Sequence, residues 1–207
     1  MNYERILSWG DIIKLEKEKF RCDPNKLLKE ISEFEFAQYN PRKKYNKRFG
    51  LSITSLDGQI NGIDLDSIYE YNKENGTNYG EIEFNTLTDV YNKSDEVKKI
   101  INPWIKHIAR SHVLHLPPGG FFPMHRDLTS PEHKQVVFRI IVPLQNCNPP
   151  DLYFMYENKP INFDYGYPYF LNTNKKHCLF SMNDCYFLVL NVKCNPETIT
   201  TIISGIN

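Results

Sequence analysis

The chain has 207 residues and a formal net charge of zero, from 25 basic and 25 acidic side chains. Because no global charge favours polyanions or lipid headgroups, we expect neither a nucleic-acid nor a membrane partner, and no apolar run approaches the roughly 20 residues of a membrane span. The N-terminal residues lack the apolar core of a signal peptide, and the five cysteines include no C-x-x-C pair. Both features predict reduced thiols in a cytoplasmic protein.

The first half of the chain predicts short helices with a little strand. Cap residues, a first-turn proline and glycine-containing turns mark where these elements begin and end. No linker rich in glycine, serine or proline follows this half, so we interpret residues 1–110 as an elaboration packed on a core of residues 111–207. The predicted elements are a helix after Asp23-Pro24, a strand over 50–56, a helix over 67–74 capped by Asp66, and a helix from Ser94 through Ile101.

From Ser111 the chain changes to short apolar and β-branched runs, with turn residues between them. Regularly spaced short strands of this kind predict an all-β barrel or a double-sheet jelly roll. The chain as a whole is therefore expected to be mainly β, with an α-helical and mixed N-terminal region, in one compact domain. The predicted strands cover residues 112–116, 122–128, 136–144, 152–156, 167–171, 177–181 and 186–192.

Three side chains on these strands have the chemistry of a metal site. His125 and Asp127 are two residues apart, so on a strand they would point to the same face. His177 lies on a later predicted strand and is the candidate third ligand. Two imidazoles and one carboxylate on one face of a metal leave the other face open, which is the facial triad of non-haem Fe(II) oxygenases. An H-x-D pair alone occurs often by chance, and its place after a Pro-Gly-Gly turn makes this one more specific.

The wider pattern resembles the Fe(II)/2-oxoglutarate-dependent dioxygenases. Over roughly residues 110–192 it is most similar to the aspartyl/asparaginyl β-hydroxylase and free-proline hydroxylase branch. The motifs that carry this resemblance are Leu116-Pro117-Pro118-Gly119-Gly120, His125-Arg126-Asp127, and an Arg-bearing strand that ends in Pro143-Leu144. From about residue 50 the chain also resembles uncharacterised oxygenases of marine bacteriophages, through Gly50-Leu51-Ser52, Leu56-Asp57-Gly58, Arg110-Ser111-His112 and Asn172-Thr173.

The resemblance implies a fold, a reaction and two cofactors. The fold would be a double-stranded β-helix, which is a jelly roll of the cupin type. Fe(II) held by His125, Asp127 and His177 as the catalytic residues would use O2 and 2-oxoglutarate, and decarboxylation of 2-oxoglutarate would be coupled to hydroxylation. The substrate would be a free amino acid or a side chain in a protein. A protein of phage origin would act in the host cytoplasm.

The residues expected to bind 2-oxoglutarate depart from the family pattern. The family usually has an arginine about ten residues after the second histidine, and Phe187 stands there. Arg139 is the leading substitute, because arginine binds carboxylates with a bidentate fork; a salt bridge within an edge strand is the alternative reading of this residue. Arg110 is the second candidate, or a ligand for a substrate carboxylate. The further candidates, chosen for their proximity to His177, are Asn172, Tyr186 and Ser181.

Other interpretations stay open at this point. A cupin-like metalloenzyme that does not use 2-oxoglutarate would account for Phe187, and in a non-enzymatic jelly-roll binding module the three metal-site residues would be incidental. The basic run over residues 42–48 is predicted to be a solvated surface loop, with contact to an acidic or nucleic-acid substrate as the alternative. His112 and His115 are an odd number of residues apart and should face opposite sides of their strand, and His115 is the one considered as a pocket residue.

Overall fold

The strands of the second half pair into two sheets that face each other in this computed structural model, which describes residues 3–127 and 137–206. The strand predicted over 122–128 is wrong for residues 126 and 127, since the observed strand ends at His125. Leu128 and Val136, where one strand was predicted to end and the next to begin, lie outside the described residues. The strands are β1 (Ile12–Lys14), β2 (Ala37–Gln38), β3 (Phe49–Ser52), β4 (Thr54–Ser55), β5 (Thr86–Leu87), β6 (His112–Leu116), β7 (Phe121–His125), β8 (Val137–Gln145), β9 (Leu152–Tyr156), β10 (Lys159–Ile161), β11 (Tyr169–Leu171), β12 (His177–Ser181) and β13 (Cys185–Lys193).

The strand order is that of a double-stranded β-helix. One sheet has the order β1-β11-β8-β13-β6-β3-β2, and the other has the order β10-β9-β12-β7. The four strands β11, β8, β13 and β6 face the second sheet, and all their pairings are antiparallel. The predicted jelly-roll fold with an N-terminal helical and mixed region is thus confirmed.

Alternation along the strands decides which side chains lie between the sheets. Ile141 and Phe187 of the larger sheet join Phe154 and Leu179 of the smaller one in an apolar cluster between the two. Their neighbours in sequence, such as Leu188, point to the opposite face and pack into a second apolar cluster with residues of the helices. The helices are α1 (Glu4–Leu7), α2 (Pro24–Glu30), α3 (Ile68–Asn75), α4 (Asp89–Lys93), α5 (Asp95–Ile101) and α6 (Pro196–Gly205).

Helix starts follow the capping residues, with one correction. The side chain of Asp23 accepts from two backbone N–H groups at the start of α2, and Ser94 caps α5 through the N–H of Val97, as predicted. The cap of α3 is Ser67, whereas Asp66 was predicted. The reason is that the Asp66 carboxylate accepts from the Ser67 N–H and forms an ion pair with Arg42.

The predicted strand over residues 50–56 is two strands in two sheets. β3 pairs with β6 in the large sheet, while β4 pairs with β5 in a separate two-stranded sheet. The break lies at Ile53, because the N–H groups of both Ile53 and Thr54 donate to the carbonyl of Ser111. β3 thereby extends the large sheet, and it brings the segment before it close to β6. Within the described ranges, no helix combines the length and apolarity needed to cross a bilayer.

Candidate metal centre and the cavities beside it

The turn before β7 sets the position of the first ligand. Gly119 has a φ of +79°, a conformation that costs glycine little. A Cβ on Gly120 would lie 2.6 Å from the carbonyl oxygen of Lys47, so only glycine fits there. The N–H of Gly119 donates to Ser181 and the N–H of Ser181 donates to Gly120, both at 2.9 Å. These bonds tie the turn to the end of β12, and they fix β7 beside the strand that carries the distal histidine.

The three predicted metal ligands come together. His125 on β7 and His177 on β12 are direct partners in the antiparallel register, with ring centroids 4.3 Å apart. Asp127 follows two residues after His125, and its N–H donates to the carbonyl of Thr173 at 2.9 Å. One ligand atom from each residue lies within 4.8 Å of the others. A single metal ion fits between atoms at this spacing.

Backbone carbonyls orient both imidazoles. His125 Nδ1 lies 2.7 Å from the carbonyl oxygen of Pro123, and His177 Nδ1 lies 2.9 Å from that of Lys175. A carbonyl can only accept a hydrogen bond, so each Nδ1 carries the proton. Each Nε2 is then left with its lone pair, which is the form that binds a metal.

Protonation states also suit a metal. Burial lowers the pKa of His177, which keeps its imidazole neutral. Burial is the largest single influence on Asp127 and acts against its ionisation, but the guanidinium of Arg139 together with His125 and His177 outweighs burial and holds the pKa of Asp127 well below its ordinary value. Two neutral nitrogens and one carboxylate oxygen are a donor set suited to Fe(II). The residues present therefore fit the ion that the family resemblance implies.

Arg139 reaches the metal site from the middle of the large sheet. Its Nη1 donates to Asp127 Oδ2 at 2.6 Å, and its Nε donates to Asn191 Oδ1 at 3.2 Å. Asn191 in turn donates to Glu81 at 2.9 Å, which fixes the amide. The alternative interpretation placed Arg139 in a salt bridge on an edge strand. It is wrong about the edge position, because β8 lies between β11 and β13. The salt bridge itself is present, and its partner is the predicted metal ligand Asp127.

Arg110 is committed to the loop before α3. Its guanidinium is buried and donates to the backbone carbonyls of Asp64 and Asp66. Its Nη1 also donates to Glu81 Oε1 at 3.1 Å. Arg110 borders a cavity, but these contacts use it to hold the loop against β6.

The other candidates for 2-oxoglutarate binding make their contacts elsewhere. Ser181 Oγ donates to the carbonyls of Pro117 at 2.5 Å and Gly120 at 3.0 Å. Asn172 Nδ2 donates to Asp11 at 2.6 Å. Tyr186 stacks on His115 with ring centroids 4.4 Å apart, on the outer face of the large sheet. None of these three borders the two cavities described next.

Two cavities meet at the candidate metal centre. The inner one lies between the sheets, and most of its wall is apolar, including Phe187, Phe154 and Leu179. The outer one has a volume of about 630 Å³ and a more polar wall that includes Asp127. His125 and Arg139 border both, as do the rings of Tyr39 and Phe122. The outer volume is in the range of small-molecule sites.

Sequence reasoning missed three residues that the structure places at these cavities. His112 is buried on the inner wall with no hydrogen-bond partner for Nδ1 among the described residues, while His115 points outward to Asp184. Burial lowers the pKa of His112 well below its ordinary value. Alternation with Leu114 and Leu116, two apolar residues of the inner face, is the signal that favours His112.

The other two missed residues are Tyr39 and Arg48. Both border the outer cavity, although they come from the segment before β6. The prediction of a solvated loop over residues 42–48 is wrong for Arg48, which is only 5% exposed, whereas Tyr45 is 71% exposed. The pairing of β3 with β6 carries Arg48 inward, and no local pattern in the sequence shows this pairing.

Comparisons with known proteins give likenesses at low identity. No protein-family model and no curated protein matches the chain. An oxidoreductase of the 2OG-Fe(II) oxygenase family from Burkholderia pseudomallei is 12% identical over 92% of this chain and 88% of its own, with a TM-score of 0.48. A prolyl-4-hydroxylase from Pseudomonas putida is 12% identical over 91% and 95%, with a TM-score of 0.49. A predicted oxalate decarboxylase from Thermotoga maritima is 16% identical over 45% and 73%, with a TM-score of 0.32.

Proposed function

We propose that this protein is an Fe(II)- and 2-oxoglutarate-dependent dioxygenase that hydroxylates an amino acid or a protein side chain. The observation that carries the proposal is the cluster of His125, Asp127 and His177, with ligand atoms within 4.8 Å of one another at the junction of two cavities. Bound Fe(II) would supply the activation of O2 coupled to oxidative decarboxylation of 2-oxoglutarate.

The protein's part is to hold the metal in one geometry. The carbonyls of Pro123 and Lys175 orient the two imidazoles, and the Thr173 carbonyl holds the backbone of Asp127. Arg139 binds Oδ2 of Asp127, which leaves Oδ1 on the side of His125 Nε2, 3.4 Å away. Partners of this kind around metal ligands commonly change metal affinity 10- to 100-fold when removed.

Arg139 is also the proposed anchor for 2-oxoglutarate. Its Nη2 group makes no hydrogen bond to any residue that the structure describes, so it is left to bind a second carboxylate beside Asp127. The family position for this anchor is filled by Phe187, which is 1% exposed in the inner cavity. An apolar wall cannot compensate a carboxylate. The dianion would therefore place a charged end at Arg139, and its methylene groups against the inner wall.

A cupin-like metalloenzyme that does not use 2-oxoglutarate is the second candidate. The observation that favours it is the same ion pair, since in such an enzyme Arg139 would serve only to neutralise Asp127. In that case the triad would bind a metal, and the protein would have no 2-oxoglutarate site. The two candidates thus agree on the metal and differ on the co-substrate.

The test is an anaerobic titration of the Fe(II)-loaded protein with 2-oxoglutarate. We expect the weak visible charge-transfer band of the chelate, and about tenfold or greater loss of 2-oxoglutarate affinity in Arg139→Met with a smaller loss in Arg139→Lys, which keeps the charge. His115→Ala is the matched control, because His115 faces away from the site. Iron binding without the band would support the cupin-like enzyme, and no iron binding would leave a binding module.

A further inference from the structure

Arg48 carries a buried charge that no described residue neutralises. Its side chain is 5% exposed, and its Nε is buried without a hydrogen-bond partner in the described part of the chain. The other arginines near the outer cavity are paired: Arg42 with Asp66 and Glu74, Arg110 with Glu81, and Arg139 with Asp127. Burial of an unpaired cation is costly, and it lowers the pKa of Arg48. An anion from outside the chain would relieve this cost.

The position of Arg48 directs that anion toward the metal centre. The guanidinium carbon lies 4.1 Å from the ring centroid of Phe122 and 5.3 Å from that of Tyr39. Phe122 stacks on His125 with centroids 6.1 Å apart, so one ring separates the guanidinium from a predicted metal ligand. Phe122 and Tyr39 border both cavities, and Arg48 borders the outer one. A ligand bound to Arg48 would thus lie in the outer cavity, beside the reacting centre.

Two asparagines with an unpaired acceptor border the same cavity. The Oδ1 atoms of Asn40 and Asn46 are buried and have no hydrogen-bond partner among the described residues. The two side chains are 9% and 2% exposed, so solvent is a poor substitute for a partner. Buried polar groups are nearly always hydrogen-bonded. These two oxygens are closed off from the cavity as well as from solvent, so of the three buried side chains only Arg48 is left to bind a ligand.

We propose that the outer cavity binds a free α-amino acid, with its carboxylate on the guanidinium of Arg48. This proposal rests on the proposed function and narrows its substrate, since a residue within a protein chain has no free carboxylate on its backbone. The carboxylate matches the fork of the guanidinium. The side chain of the amino acid would then extend toward the triad.

The experiment uses metal-free protein and the L-amino acids as individual probes, with binding followed by ligand-observed NMR and calorimetry. We expect at least one amino acid to bind, its C-terminal amide to bind more weakly, and Arg48→Met to weaken binding about tenfold or more. Arg48→Lys should recover part of the loss. Arg21→Met is the matched control, because its guanidinium also lies over a ring, 4.9 Å from the centroid of Tyr167, but borders neither cavity.

A second arm separates the substrate carboxylate from that of 2-oxoglutarate. The charge-transfer titration on iron-loaded Arg48→Met should give the same 2-oxoglutarate affinity as the wild type, and its unfolding midpoint should be no lower, because the variant loses an unpaired buried charge. Loss of the band in this variant would assign Arg48 to the co-substrate and overturn the proposal. Binding of amino acids by Arg48→Met as strongly as by the wild type, or by neither protein, would also overturn it. The first arm needs no metal, so it tests amino-acid binding alone. Failure of the oxygenase assignment would instead appear as a missing charge-transfer band in the wild-type protein.

Discussion

Arg139 Nη1 donates to Asp127 Oδ2 at 2.6 Å, so the carboxylate of the candidate metal site lies against a fixed cation. The two side chains come from different sheets. Arg139 lies on β8 of the larger sheet, and Asp127 follows the end of β7 in the smaller sheet. The pair makes Asp127 anionic at any ordinary pH and keeps one of its oxygens away from the imidazoles. The guanidinium of Arg139 is also the proposed binding partner for a carboxylate of 2-oxoglutarate.

Removal of this cation should destabilise the metal-free protein. Asp127 has a folded pKa below its unfolded value, so its contribution to stability is present above pH 4 and is lost as pH falls through the folded pKa. We expect Arg139→Met to lower the free energy of unfolding by about 2 kcal/mol at pH 7. This is less than the 3–5 kcal/mol of a fully buried pair, because the two side chains remain 27% and 28% exposed.

Urea unfolding at pH 7, with and without Mn(II), measures this effect. Arg139 orients Asp127, so its removal should weaken metal binding, and Mn(II) is expected to stabilise Arg139→Met less than the wild type. Arg139→Lys should lie between the two proteins, because it keeps the charge and loses the fork. Equal stabilisation of all three proteins by Mn(II) would mean that Arg139 does not orient a metal ligand.

The assignment of the metal ligands predicts that loss of His177 and loss of His115 have different effects on iron binding. His177→Ala and Asp127→Ala should each abolish stoichiometric iron binding and the turnover of 2-oxoglutarate to succinate, because each removes a ligand. His115→Ala should keep both, since His115 lies on the outer face and contacts Asp184. Iron content and succinate formation are the measurements. Full activity in either triad variant would contradict the assignment of the ligands.

Ser181 is close to His177 in sequence, but its hydroxyl has a structural role in the turn before β7. It was a candidate for hydrogen bonding to 2-oxoglutarate, yet its hydroxyl donates to the carbonyls of Pro117 and Gly120. We expect Ser181→Ala to leave the affinity for 2-oxoglutarate within about twofold and to lower the free energy of unfolding by about 0.5–1.5 kcal/mol, because the hydroxyl's hydrogen bonds are lost while both carbonyls keep a backbone N–H donor. A large loss of 2-oxoglutarate affinity at unchanged stability would restore the earlier prediction.

The sequence predicted what depends on strand periodicity and could not predict what depends on distant pairing. The pairing of His125 with His177 follows from their adjacent strands. Asp127 comes after the end of β7, and the hydrogen bond from its N–H to the Thr173 carbonyl holds it beside them. Tyr186 was proposed for the site and Phe187 occupies it, since Tyr186 pairs with the outward-facing His115 and Phe187 with the inward-facing Leu114. Arg48 enters through the pairing of β3 with β6, which no local signal reports.

Asp64 provides a prediction about pH and stability away from the metal. It is fully buried, its Oδ1 accepts from Ser52 Oγ at 2.5 Å, and its Oδ2 has no partner in the described part of the chain. Burial raises the pKa of Asp64 to about 6. A folded pKa above the unfolded value of 3.8 means that the folded state binds more protons between these two values. Ionisation of Asp64 therefore lowers stability as pH rises from 4 to 6, and the loss persists above pH 6.

Asp64→Asn should remove that loss, because the amide carries no charge and can still accept from Ser52. A shift of about two pKa units corresponds to about 3 kcal/mol, so the variant is expected to be more stable than the wild type by up to this amount at pH 8. At pH 4 the wild-type carboxyl is protonated in the folded state, and the two proteins should have nearly equal free energies of unfolding. Urea unfolding at both pH values gives the comparison, and a variant that is less stable than the wild type at pH 8 would show that the attraction between ionised Asp64 and Arg110 outweighs the cost of burial.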